Sequence, residues 1–363
     1  MTSLEAVVRM QFFVDHKRVG ATVVALFMSL SAVSVQAEAV IKGAGASFPS
    51  RIYERWTQRF MELNPGTSAS YMPTGSGDGV KQIKARSVQM GGTDNPLTPA
   101  QLAEYKLVQI PLLVGGLVPV INVPGIKSNR LVLSGAVLAQ MAMGEITRWD
   151  DERITALNPG VSLPSMPIVR VVRQESSGST EIWTRYLGAS SPAFAKAIPM
   201  SQKPNWPGNT VAAKGNDGMV SALQSNTGAL AYVSYDRVIK DKLVAVRLLN
   251  TQGTAVEASE AGFRAAIVAS DVYRKGDDTA SLLNMPRHDA WPLTATSYML
   301  LDARPKDVKQ AELAARFVYW CFMHGDELTK GTGFAPLPDR VQARLAGRLL
   351  QIQGPSGEMP KFQ

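Results

Sequence analysis

Three segments of this chain share one design: a short extended run, a turn of glycine and serine, then a helix-period pattern. The first is Ile41-Lys42-Gly43-Ala44-Gly45-Ala46-Ser47-Phe48-Pro49, followed by Ile52, Tyr53, Trp56, Phe60 and Leu63 on one helical face and stopped by Asn64-Pro65-Gly66. Ser47 is the candidate N-cap, with Pro49 tolerated in the first turn. The second runs Ser68-Ala69-Ser70-Tyr71, then Thr74-Gly75-Ser76-Gly77-Asp78-Gly79, then Val80 to Ile83. The third runs Ile168 to Arg173, then Glu175-Ser176-Ser177-Gly178-Ser179-Thr180, with Ile182, Trp183, Tyr186 and Leu187 on one face of the next helix. Strands that alternate with helices in this way predict an α/β fold. A plainer turn, Gly91-Gly92-Thr93-Asp94-Asn95-Pro96, ends another strand, because the residue before proline is pushed out of the helical region.

At 363 residues the chain is too long for one small core, so two lobes are expected. An apolar stretch from Val108 to Val123, interrupted by Gly115-Gly116, reads as a buried strand with a bend and as one crossover between lobes. The stretch His288 to Leu301, with Ala290-Trp291-Pro292, reads as the return crossover. The expected boundaries are 38–118 for the first part of lobe I, 119–290 for lobe II and 291–363 for the rest of lobe I. Ahead of them, Lys17 and Arg18 precede an apolar run from Val19 to Val33 and a small-residue site ending Val35-Gln36-Ala37. That order predicts a signal peptide over residues 1–37, cleaved near Ala37. Its apolar run is shorter than the ~20 residues of a spanning helix. No cysteine stands at the cleavage site to take a lipid anchor.

Charge and cysteine content narrow the function. The net charge is +8, and residues 1–37 carry only +1 of it, leaving +7 on the remainder. A basic balance suits an anionic partner. No Lys/Arg block interleaved with aromatics appears, so nucleic acid is not expected. The single cysteine, Cys321, falls in the helical pattern Leu313, Phe317, Trp320, Cys321 and reads as a buried core thiol.

The glycine-serine turns carry the chemistry. A helix N-terminus offers unpaired backbone N–H groups and the positive end of the helix dipole, which suits an anion. Glycine lets the backbone come close, and serine hydroxyls add donors. Arg173 stands four residues before Ser177, and its planar guanidinium can grip two oxygens of a tetrahedral anion. Asp94 fits only if the anion carries a proton for the carboxylate to accept. Phosphate and arsenate do so near neutral pH, whereas sulfate does not, and two acceptors face to face in a dry site would reject it. Taken singly, each feature has a plainer reading: a cap at Ser47, an Asx turn at Asp94, a solvated Arg173. Lys214-Gly215-Asn216-Asp217-Gly218 reads as a strand-to-helix turn capped by Asn216 or Asp217, the other reading being a part in lobe closure.

A hydrolase is the rival class, since phosphatases also cradle phosphate. The chain has only His16, His288 and His324 as imidazole bases, and His324 precedes Gly325 at an expected helix end. It has no G-x-S-x-G elbow and no H-E-x-x-H helix. A binder rather than an enzyme is therefore expected.

The segments Gly43 to Pro49, Thr74-Gly75-Ser76-Gly77 with Gly79 to Ile83, Gly91 to Leu97, and Val172-Arg173 through Ser177-Gly178-Ser179-Thr180 come in one order. Glu145-Ile146 with Trp149-Asp150-Asp151, Lys214 to Gly218, and Ala290-Trp291-Pro292 support them. In these the chain resembles the periplasmic phosphate-binding protein family of the phosphate-specific ABC transporter. The resemblance implies a bilobal periplasmic-binding-protein-like fold with a hinge of two chain crossovers, closing on inorganic phosphate. It implies ligand contacts from the Ser47 hydroxyl, the Phe48 backbone N–H, Ser76, Asp94, Arg173, Ser177, Gly178 and Ser179. It implies no cofactor, a monomer, a periplasmic location, and the membrane permease subunits of a phosphate ABC transporter as partners. Two positions depart: Gly77-Asp78-Gly79 where Ser-Gly-Gly is common, and Glu175 where a shorter acid is common.

Overall fold

A computed structural model describes residues 39–362; the expected signal peptide over residues 1–37 lies outside them. Thirteen strands are formed: β1 (Ala39–Gly45), β2 (Thr67–Met72), β3 (Met90–Thr93), β4 (Leu107–Asn122), β5 (Val132–Leu133), β6 (Val169–Arg173), β7 (Val211–Ala213), β8 (Ala229–Ser234), β9 (Val244–Ala245), β10 (Arg247–Leu249), β11 (Ala255–Val256), β12 (Thr294–Asp302) and β13 (Phe334–Pro336). The main sheet runs β2-β1-β3-β12-β4-β8-β6-β7, with β9 and β13 also on β4. A small sheet, β11-β10-β5, stands apart from it.

β4 organises the molecule. Its first part, Leu107–Gly116, pairs with β12 on one side, and Leu113–Gly115 pairs with β13 on the other. Its second part, Leu117–Asn122, changes partner to β8. Fifteen of its sixteen residues are buried, which is why it reads as an unbroken apolar run rather than an alternating one. Gly115 and Gly116 stand where the partners change. A Cβ on Gly115 would lie 2.7 Å from the ring of Phe334 and 2.9 Å from that of Phe48, and one on Gly116 would lie 2.3 Å from Phe263. The glycines thus let three aromatic rings seat against the strand. Trp291, fully buried, donates its indole N–H to the Leu117 carbonyl at 3.0 Å.

On either side of β4 lies a parallel set: β2, β1 and β3 on one, β8, β6 and β7 on the other. Each turn with a helix after it leaves the carboxyl end of a parallel strand. That is where open α/β sheets place their ligands. The helices expected from periodicity are present at Ser50–Leu63, Ser76–Lys84 and Gly178–Ser190. Cys321 is a free, buried thiol, as its pattern predicts.

One expected boundary is corrected. His324 and Gly325 do not end a helix but lie inside Val308–Thr329. Gly325 is there for close packing, since its carbonyl accepts the Trp56 indole N–H at 3.1 Å and a Cβ would stand 3.0 Å from that ring. His324 lies beside the Trp320 ring. Among the described residues no helix is long and apolar enough to cross a membrane.

Candidate functional site

The turns after β1, β2, β3, β6 and β7 meet. The N–H of Gly75 donates to the Gly45 carbonyl at 2.8 Å, which joins the first two turns. Gly75 has φ +104°, a conformation that glycine adopts without steric cost. Ser76 begins its helix fully buried, and its Oγ accepts the Asp94 backbone N–H at 3.2 Å. From the other side of β4, Gly178 approaches the same pair. A Cβ on Gly178 would stand 2.3 Å from Ser76 Oγ and 2.8 Å from Asp94 Cβ. Gly77 donates its N–H to the Ser176 carbonyl at 3.3 Å, and Asn95 Nδ2 donates to the Gly178 carbonyl at 3.1 Å.

Arg173 ends β6, and its side chain is buried. Nη2 donates to Ser47 Oγ at 2.8 Å, and Nε donates to Glu175 Oε1 at 2.8 Å. Nη2 also contacts Glu175 Oε1, so the longer acid does pair with this arginine. The Gly215 N–H donates to the same Oε1 at 3.1 Å. Asp78 faces away from this work, accepting from Gln82 Nε2 one turn along its own helix.

Asp94 is buried, and its Oδ1 accepts the Ser297 hydroxyl at 3.0 Å. Burial pushes its carboxyl up to about 7. The Ser297 hydroxyl, the Arg173 charge and the Ser76 hydroxyl pull it down in part, while Glu181 pushes it up. It does not make an Asx turn, because the residue two further on is Pro96, which has no N–H to donate, and the Asn95 N–H goes to Thr93 Oγ1 at 3.3 Å.

Ser177 caps the helix Gly178–Ser190, its Oγ accepting the Thr180 N–H at 3.2 Å. The N–H groups of Gly178 and Ser179 open that helix and so have no intrahelical acceptor. Ser179 Oγ is buried with no hydrogen-bond partner. A buried hydroxyl in that state is a donor available to a ligand. Phe48 anchors the first turn by its ring, edge-on to Phe334 at 5.4 Å.

Every site residue named from the sequence therefore falls in one buried region, but two roles differ from expectation. Ser47 is not an N-cap; the cap position is Pro49, and no side chain caps this helix. The Ser47 hydroxyl is turned instead to Arg173. Neither Asn216 nor Asp217 caps the helix Gly215–Ser225, whose cap position is Lys214. Asn216 points into the interior, while Asp217 pairs with Arg237 at the surface. Sequence reasoning also missed Ser297. It stands on β12, brought beside Asp94 because β12 pairs with β3, and no local pattern signals that pairing.

The site can hold a small tetrahedral anion that carries a proton. A guanidinium, three serine hydroxyls and helix-terminal N–H groups supply donors, and one carboxylate supplies an acceptor. Gly178→Ala tests the fit. The added methyl would collide with Ser76 and Asp94, so ligand affinity should fall more than tenfold while the circular dichroism spectrum stays that of the parent. Unchanged affinity by calorimetry would show that the turn has room to spare.

A family profile described as a PBP superfamily domain matches residues 32–324. The chain is 33% identical over 321 residues to the phosphate-binding protein PstS of Pasteurella multocida, covering 88% of this chain and 92% of that protein. It is 34% identical to the PstS of Xylella fastidiosa over 301 residues, 83% of this chain and 82% of the other. A solved structure of a high affinity periplasmic phosphate-binding protein bound with phosphate shares the fold, with a TM-score of 0.67 at 23% identity, over 85% of this chain and 93% of that one.

Proposed function

The chain belongs to the PstS phosphate-binding protein family, and from that membership we propose that it captures inorganic phosphate and hands it to an ABC transporter. It is a binding protein, not an enzyme, as its relatives are named. The observation that carries the reading is the meeting of Arg173, Asp94, Ser47, Ser76 and the Gly178 helix terminus in one buried place. In this reading the Arg173 guanidinium, the hydroxyls of Ser47, Ser76 and Ser179, and the N–H groups of Phe48, Gly178 and Ser179 face the phosphate oxygens. Ser177, with Gly178 and Ser179, surrounds the remaining oxygens while its hydroxyl caps the helix, and Asp94 accepts the phosphate O–H. No full counter-charge is needed, because dipoles and one guanidinium disperse the anion's charge.

Residues 38–118 with 291–363 form one lobe and residues 119–290 the other, joined where the chain crosses between them. Phosphate docks on one lobe, the other shuts, and water leaves the site. The protein works as a monomer in the periplasm after removal of its first 37 residues, and the closed form is what the membrane permease subunits engage.

The test is calorimetric titration of the mature protein, stripped of anion, with phosphate, sulfate and arsenate. One-to-one phosphate binding with little response to sulfate supports the reading. Arsenate should also bind, since it carries a proton of the same kind. Absence of phosphate binding would overturn it.

A further inference from the structure

Asn216 stands in the first turn of the helix Gly215–Ser225 yet does nothing for that helix. Its side chain is buried and reaches two segments distant in sequence. Nδ2 donates to the backbone carbonyl of Ser47 at 3.1 Å, and Oδ1 accepts the backbone N–H of Ser234 at 3.3 Å. The Ser234 N–H can only face the amide oxygen, and the Ser47 carbonyl can only face the amide nitrogen. The two partners therefore fix the orientation of the amide. Ser234 ends β8, on the side of β4 that carries Arg173, and Ser47 follows β1 on the other side.

The neighbouring Gly215 N–H holds Glu175 at 3.1 Å, Glu175 holds Arg173, and Arg173 holds the Ser47 hydroxyl at 2.8 Å. Asn216 closes this chain of bonds back onto Ser47, now through the carbonyl. One turn thus grips Ser47 twice, by the hydroxyl through Glu175 and Arg173 and by the backbone through Asn216.

We propose that Asn216 is a positioning residue, a latch that holds the Ser47 turn against the far half of the sheet and slows the escape of bound anion. It touches no ligand. This rests on the phosphate reading for the identity of the anion, but not for the latch itself. An aspartate at this position keeps the Ser234 bond and turns an acceptor toward the Ser47 carbonyl, whereas an alanine loses both bonds.

The experiment measures phosphate release by stopped flow, the thermal midpoint of the ligand-free protein, and its radius of gyration by X-ray scattering. Losing one neutral hydrogen bond is worth about a fivefold to tenfold change, and facing two acceptors costs more. Of the two Asn216 bonds only the one to Ser47 joins the two sides of β4, so Asn216→Ala should release phosphate about fivefold to tenfold faster and Asn216→Asp about a hundredfold faster, with association rates near the parent's. The midpoint should hold in Asn216→Asp, which keeps the Ser234 bond, and fall in Asn216→Ala, which leaves the buried Ser234 N–H unpaired. Asn216→Asp should also raise the radius of gyration. Release rates and radius equal to the parent's overturn the latch while leaving phosphate binding intact. If both variants lose ligand-free stability in step with affinity, Asn216 is a structural residue and the latch falls. If the parent takes up no phosphate but Asn216→Asp still expands the protein, the latch stands and the identity of the anion does not.

Discussion

Arg173→Ala is expected to weaken phosphate binding by about thirtyfold to several thousandfold, the range for truncating one partner of a buried, hydrogen-bonded charge pair. Two losses combine. The ligand loses the one charged donor in the site, and Ser47 loses the bond that orients its hydroxyl. A third effect falls on the protein itself. Glu175 is mostly buried, and without Arg173 only the Gly215 N–H faces its Oε1, while Oε2 has no partner in any case. An uncompensated buried carboxylate costs about 3 kcal/mol or more, so the ligand-free variant should unfold at lower denaturant concentration. Adding Glu175→Gln separates the effects: stability should return and affinity should not. Calorimetry and urea titration read the two. If Arg173→Ala binds phosphate as the parent does, Arg173 is outside the site.

Asp94→Asn is expected to collapse the preference for phosphate over sulfate by two orders of magnitude or more, because a site built around one required hydrogen bond rejects a ligand that cannot make it. The asparagine amide can donate to any oxyanion, so sulfate is no longer refused. A variant that kept the full preference would show that selectivity lies elsewhere. The same substitution has a signature without ligand. Burial holds the Asp94 carboxyl at about 7, against 3.8 for the ordinary group. Between those values the folded protein keeps a proton that the unfolded chain has released. Stability is therefore lost as pH rises through this window and levels off above it. The full difference is about 4 kcal/mol. Ligand-free Asp94→Asn has no such group to ionise. It should match the parent near pH 4 and exceed it at pH 8, as read from denaturation midpoints.

Much of the fold and site was legible in the residues because the signals are local. Glycine and serine after an extended run mark a turn, and apolar spacing marks the helix behind it. Three such turns and the plainer one at Asp94 supplied the site residues. The run Val108 to Val123 announced a strand buried along nearly its whole length, and its two glycines marked where β4 changes partners. Polar turns with the right donors, and a carboxylate among them, narrowed the ligand to a protonated oxyanion.

What one turn does for another depended on tertiary structure. Ser47 has the residue type and position of a candidate cap, but its hydroxyl faces Arg173, 126 residues away in the chain. Asn216 likewise looks like a cap and is spent on Ser47 and Ser234. Ser297 carries no signal at all, because its place beside Asp94 follows from the antiparallel pairing of β12 with β3. Residue type and spacing state which groups a segment can offer. Which partner each group meets is set by strand order across the sheet, and hydrogen bonds between distant segments leave no period in the sequence.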